Sequence, residues 1–259
     1  MAYKTRLVDN FVNKVSYFAK RLKTMEVIET RHATIVDSGY PSDTFNVIAI
    51  RQTLSEEVFL GAISRFKKKE YPLSVWCWNE ESTRGNDLIN LGLVQVETNV
   101  AMVMEMNDVV KKPVLPKGFE IKKIESPEDI VLFGALISSF FGDSLEGKAV
   151  KSYYDDVASL SMKSSDLTLY IGIAGGKPVT TGSMIVSSDS VGIYDMGTSD
   201  EERGKGYGTA MFRYLLSEAS KYEKDACFLQ ASPDGYAIYK SAGFKAIGEM
   251  KVYGWGCDS

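Results

Sequence analysis

The chain has 259 residues, 44% hydrophobic and 25% charged, enough to bury one large core or two modest ones. Its 30 basic and 34 acidic residues leave a formal net charge of -4, which gives no general attraction to nucleic acid or to an anionic membrane. No apolar run reaches membrane-spanning length, and the first residues alternate charge with apolar groups instead of forming a signal peptide, so a cytoplasmic protein is expected.

Three widely spaced cysteines, Cys77, Cys227 and Cys257, and a single histidine, His32, suggest neither a disulfide framework nor a metal site. In the N-terminal half, Lys20 to Lys23 and Lys67 to Lys69 read as solvated helix faces. Residues 45–50 read as a strand, 55–69 as a helix capped by Ser55, and 73–78 as a second strand. Residues 87–91 lead into Gly92-Leu93, and 94–106 has the apolar content of a closing hairpin. Between Ile50 and Ser55 there is no glycine, so that link lacks the positive-φ residues needed to wrap a diphosphate.

Lys111-Lys112-Pro113-Val114-Leu115-Pro116 reads as a connector, because its prolines remove backbone donors and discourage a helix. It divides the chain into domains at 1–112 and 113–259. Downstream, 119–124 is a predicted strand, 128–141 a helix with Ile130, Phe133, Ile137 and Phe140 near one side, and 148–160 a second helix. A hairpin of 167–173 and 178–186 turns at Gly175-Gly176, and a strand follows at 191–198. After it come a helix, a strand at 226–230, a short helix at 234–241 and a strand at 245–253. The order specifies a mixed α/β sheet.

Chemistry concentrates between Asp195 and Phe244. The turn Arg203-Gly204-Lys205-Gly206-Tyr207-Gly208-Thr209 has three alternate glycines that let the backbone approach an anion any Cβ would hold away. Phe212, Leu215, Leu216 and Ala219 then recur at helical spacing, which puts the turn at a helix N-terminus, where free amides and the macrodipole favour a diphosphate. Arg203 and Lys205 add positive charge. A Walker A loop is excluded, since no lysine follows Gly208, and the dinucleotide fingerprint fits poorly, with Thr209 or Met211 at the third glycine position.

Arg203, Gly206 and Gly208 form Arg-x-x-Gly-x-Gly, and Tyr239-Lys240-Ser241-Ala242-Gly243-Phe244 follows about thirty residues later. Together they resemble the acetyl-coenzyme A loop and the Tyr-x-x-x-Gly-Phe signature of the GNAT superfamily of N-acetyltransferases. Tyr194-Asp195-Met196-Gly197-Thr198 and Leu229-Gln230-Ala231-Ser232-Pro233-Asp234-Gly235 are similar to a subgroup of that family. The faint repetition of the layout in the first half resembles a tandem arrangement. The implied fold is two GNAT-like domains, each a mixed, mostly antiparallel sheet flanked by helices, the first degenerate and the second active.

The resemblance implies acetyl-coenzyme A as cosubstrate. Met196, Gly197 and Thr198 would bind its pantetheine arm on a strand that opens from its neighbour, and the turn from Arg203 to Thr209 would hold its diphosphate. Many members carry asparagine where Ser232 falls, so Ser232 either supplies a shorter hydroxyl contact or only caps the helix beginning at Pro233. Tyr239 would protonate the leaving sulfur; the competing reading is a core aromatic. Asp195 is either the base or a structural carboxylate satisfied by a loop amide or by Arg203. Glu201 and Glu202 read as solvated charges beside the loop. Gly197 reads as a bulge, a close backbone approach or mere irregularity.

Tyr153, Tyr154, Phe140 and Phe141 fall where the family often lines its acceptor cleft, and also suit a core. The expected acceptor is a primary amine of a small molecule or peptide, with no nucleic acid or membrane partner, in a monomer or homodimer. The alternative is a non-catalytic acyl-coenzyme A binding or sensing protein.

Overall fold

The computed structural model describes residues 2–52, 56–78, 88–107, 110–162 and 166–255. The chain forms two compact units: residues 1–102 with 230–237 and 246–259, and residues 103–229 with 238–245. The units therefore differ from contiguous halves of 1–112 and 113–259, because part of the chain's end is assigned to the first unit.

The first unit opens on α1 (Ala2–Val15), which buries Leu7, Val8, Phe11 and Val12. Two strands follow, β1 (Glu26–Glu29) and β2 (Ala33–Asp37). Then come β3 (Val47–Ile50), α2 (Glu56–Lys69) and β4 (Ser74–Trp78). The expected cap at Ser55 lies outside the described residues. Lys20 to Lys23 follow α1 in turns, not on a helix face. The long strand β5 (Val94–Glu105) replaces the hairpin expected at 94–106. Gly92 has φ +85 but no turn interrupts the residues after it, so the chain stays extended for 12 residues.

β3 and β4 run parallel on either side of α2, with Val47 opposite Ser74 and Ala49 opposite Trp76. The other edge of β4 is filled by β11 (Lys245–Gly254), antiparallel, with Met250 opposite Trp78 and Gly254 opposite Ser74. Phe59, Ile63 and Phe66 of α2 pack with Ile48, Val75, Cys77 and Tyr253.

In the second unit β6 (Phe119–Lys123) leads to α3 (Pro127–Ser139) and α4 (Leu145–Val157). Each helix starts on a serine cap: Ser126 Oγ accepts from Asp129 N at 3.2 Å and Ser144 Oγ from Gly147 N at 3.1 Å. The second begins earlier than the expected residue 148 for that reason. β7 (Leu167–Ala174), β8 (Lys177–Val186), β9 (Ser190–Thr198), α5 (Tyr207–Ala219) and β10 (Ala226–Ala231) follow. The strand order is β6-β7-β8-β9-β10, antiparallel except for the β9–β10 pair.

One face of this sheet carries α5 and the other α3 and α4. A Cβ on Gly182 of β8 would lie 2.6 Å from Leu215 of α5, whereas one on Gly197 of β9 would lie 2.3 Å from the Phe140 ring beyond α3. Strand, helix and parallel strand thus recur as β3-α2-β4 and β9-α5-β10, so the repetition read in the sequence is present in the fold.

Candidate active site

β9 and β10 pair only from Ser190 opposite Ala226 to Gly192 opposite Phe228, although β9 runs on to Thr198. Beyond Gly192 the described pairs give β9 no partner on its β10 side. That stretch of β9 includes Met196, Gly197 and Thr198.

On its other side β9 follows β8 with one interruption. Thr181 faces Gly197 and Ser183 faces Tyr194, so Asp195 and Met196 together stand opposite Gly182 alone. This β-bulge gives Asp195 a φ of +53°, a region that aspartate tolerates better than most residues. The irregularity therefore sits at Asp195 and Met196. Gly197 instead provides close approach, because the Phe140 ring occupies the position of its missing Cβ.

The bulge re-aims a carboxylate. Met196 Sδ lies on the α5 side with Gly182, while the Asp195 carboxylate accepts from Ser183 Oγ at 2.6 Å. Thr181 Oγ1 donates to the Asp195 carbonyl at 2.7 Å, and Thr180 Oγ1 donates to the Gly197 carbonyl at 2.5 Å. Thr198 Oγ1 donates in turn to Thr180 Oγ1 at 3.2 Å. Burial first, and then the nearby Asp195 charge, push the phenols of Tyr153 and Tyr154 well above their ordinary range. Both tyrosines are core residues, whereas Phe140 and Phe141 remain 39% and 37% exposed.

After β9 a single 3-10 turn (Asp200–Glu202) leads into the glycine turn. Gly204 and Gly206 take φ of +76° and +83°, and Gly206 is the N-cap of α5. The first helical bond runs from Ala210 N to Gly206 O at 2.9 Å. The amides of Tyr207, Gly208 and Thr209 therefore precede it and have no partner within the helix. Gly208 serves differently from its neighbours: it lies in the helix, and a Cβ there would press on Thr198 Oγ1 at 2.9 Å.

The Tyr207 ring stacks on Phe119 at 4.8 Å between centroids, anchoring the start of α5 in a cluster with Val179 and Ala210. Only its main chain is thereby left at the turn. Arg203 pairs with Asp200 at 3.1 Å, and its Nε donates to the Thr198 carbonyl at 3.4 Å. Lys205 pairs with Glu202 at 2.9 Å, a hydrogen bond that raises the pKa of its ammonium. Glu202 is thus paired, not simply solvated. These exposed pairs are weak and exchangeable.

Tyr239 lies on α6 (Pro233–Ser241), its ring edge-on to Phe212 of α5 at 4.7 Å. The helix ends in a Schellman motif: Phe244 N donates to the Tyr239 carbonyl at 3.2 Å and Gly243 N to the Lys240 carbonyl at 3.1 Å, with Gly243 at φ +103°. Phe244 then buries against the same Phe212 ring at 5.8 Å. The Tyr-x-x-x-Gly-Phe spacing has a mechanical meaning, since the helix ending locks the tyrosine and the phenylalanine onto one core ring. Burial pushes the Tyr239 phenol up to about 12. The Ser232 carbonyl accepts from Gly235 N and Tyr236 N, both at 3.1 Å, closing the first turn of α6. Ser232 falls in the first compact unit, Tyr239 and the glycine turn in the second.

Sequence reasoning did not single out Ser183 or Thr181. The available signal was Thr180-Thr181-Gly182-Ser183, a hydroxyl-rich run inside a strand otherwise destined for burial. Among the described residues no cluster of three or more His, Cys, Asp or Glu is arranged to hold a metal, and no helix is long and apolar enough to cross a membrane. Cys77 and Cys227 are buried free thiols.

A sheet opened beside a helix whose N-terminus carries a glycine turn defines the GNAT class of fold. Residues 139–257 match the model of the acetyltransferase (GNAT) domain family. The whole chain is similar to a GCN5-related N-acetyltransferase from Kribbella flavida, with a TM-score of 0.67 and 13% identity, over 96% of this chain and 94% of that one. A tandem GNAT protein from the clavulanic acid biosynthesis pathway gives a TM-score of 0.61 and 11% identity, covering 98% and 96%. A conserved protein of unknown function from Staphylococcus epidermidis gives 0.64 and 17%, covering 92% and 96%. No curated protein matches the chain. At these identities the likeness establishes a tandem GNAT fold.

Proposed function

We propose that the chain transfers the acetyl group of acetyl-coenzyme A to a primary amine of a small molecule or peptide, by direct attack in a ternary complex. The observation that carries this reading is the glycine turn: two left-handed glycines ahead of α5 and three amides left over at its N-terminus. Such a terminus favours a diphosphate by geometry and by the macrodipole together. Arg203 and Lys205 can trade their exposed carboxylate partners for phosphate oxygens.

The unpaired edge of β9 at Met196, Gly197 and Thr198 would hold the pantetheine arm and polarise the thioester carbonyl. The amine nitrogen attacks that carbon, its proton passes to Asp195 directly or through water, and the carbon–sulfur bond breaks. Tyr239 delivers a proton to the departing sulfur, leaving an N-acetylated amine and free thiol.

Gly206→Glu tests the cradle. Its Cβ meets no protein atom, so the change adds left-handed strain of about 1–2 kcal/mol and places a carboxylate where the diphosphate would lie. Calorimetry should show affinity for acetyl-coenzyme A reduced by about a hundredfold or more, and unaltered binding would overturn the reading. Thiol release across a panel of amines separates an enzyme from an acyl-coenzyme A sensor: binding without turnover on any amine would establish the latter.

A further inference from the structure

Resting on the reading above, in which Asp195 receives the amine proton, we propose that Ser183 is a positioning residue that holds the Asp195 carboxylate on the acceptor side of β9. Ordinary strand alternation would place successive residues on opposite faces. With one extra residue in β9, Tyr194 keeps register with Ser183 and the next side chain, that of Asp195, still reaches the Ser183 hydroxyl. Met196 is then the residue that lies toward α5. Without the bulge, alternation would turn residue 195 away from Tyr194 and toward the α5 layer.

Two hydroxyls of β8 contribute to the arrangement. Thr181 Oγ1 donates to the carbonyl of Asp195 and Ser183 Oγ to its carboxylate, and both donor residues are 0% exposed. One hydroxyl therefore pins the backbone at φ +53° and the other selects the side-chain direction. Two residues further on, the Phe140 ring sits over Gly197. The carboxylate is thus held on the face bordered by a half-exposed aromatic, where an amine with an apolar body would be received.

The test is a double-mutant cycle on the full chain, read by thiol release from acetyl-coenzyme A with 2-phenylethylamine and the rest of the amine panel. Asp195→Asn keeps the shape and tolerates the positive φ while removing the base. It should lower kcat by about a hundredfold. Ser183→Ala should lower kcat by about tenfold through misdirection of the carboxylate, with KM for acetyl-coenzyme A unchanged and the melting temperature little altered. In the Asp195→Asn background, Ser183→Ala should cost nothing further, because a residue that acts only through Asp195 has nothing left to position.

Effects that multiply in the double variant, or a Ser183→Ala change that raises KM for acetyl-coenzyme A as much as it lowers kcat, would overturn the positioning role while leaving the acetyltransferase reading intact. Full activity in Asp195→Asn would remove the base assignment and this inference with it. A native chain silent on every amine would remove both readings at once.

Discussion

Tyr239 packs as a core aromatic, and on the proposed reading it also serves the chemistry. Its ring is held edge-on by Phe212, and its hydroxyl, pushed by burial to about 12, stays protonated throughout the neutral and mildly alkaline range. Tyr239→Phe retains the ring contact and removes only the proton. It should lower kcat by about a hundredfold while the dissociation constant of acetyl-coenzyme A, measured by calorimetry, changes less than about twofold. An unchanged kcat would return Tyr239 to the core. The sequence already located this tyrosine, because the spacing to Gly243 and Phe244 encodes the Schellman ending that fixes it. It could not locate the Asp195 bulge, since nothing in Tyr-Asp-Met-Gly-Thr distinguishes a residue at φ +53° from its neighbours. Gly197 stands out in the sequence, but its constraint is a ring from a helix ending more than fifty residues earlier.

Helix pairing in the second unit turns on another glycine. α3 lies against α4 at Gly134, where a Cβ would fall 2.2 Å from Tyr154 Cβ. Alanine normally stabilises a helix interior by about 1 kcal/mol over glycine. Here the opposing atom is tied to its own backbone and cannot swing aside, and forcing a methyl into such a contact costs about 1–3 kcal/mol. The clash decides the sign. Gly134→Ala should lose net stability of up to about 2 kcal/mol and lower the melting temperature by up to about 4–8 °C, measured by calorimetric unfolding; a raised melting temperature would show that the helices can separate freely. The face of α5 was legible because Phe212, Leu215, Leu216 and Ala219 repeat over two turns. α1 was not, since Leu7, Val8, Phe11 and Val12 sit among charges in a stretch too short for a clear period. The 94–106 segment misled for a different cause: apolar content fits one long strand as well as two short ones, and only pairing distinguishes them.

Division of the chain was the least legible feature, because strand partners across about 170 residues leave no local mark. Lys111 to Pro116 has connector composition, yet β11 at the other end of the chain completes the sheet edge at β4. Met250, Val252 and Tyr253 of that strand are 1%, 3% and 2% exposed. Burial of each such side chain is worth about 1.5–3 kcal/mol, so together they contribute an amount comparable to the whole stability of an ordinary domain. Removing residues 245–259 should therefore unfold the first unit before the second, although the cut lies nearer in sequence to the second. Hydrogen exchange should show amides at 47–50 and 74–78 losing protection while those at 167–186 keep theirs. A fragment of residues 1–112 should aggregate, because it leaves the β4 edge unpaired. If protection is instead lost first at 167–186, the contiguous division is the correct one, and β11 belongs energetically to the half that precedes it in sequence.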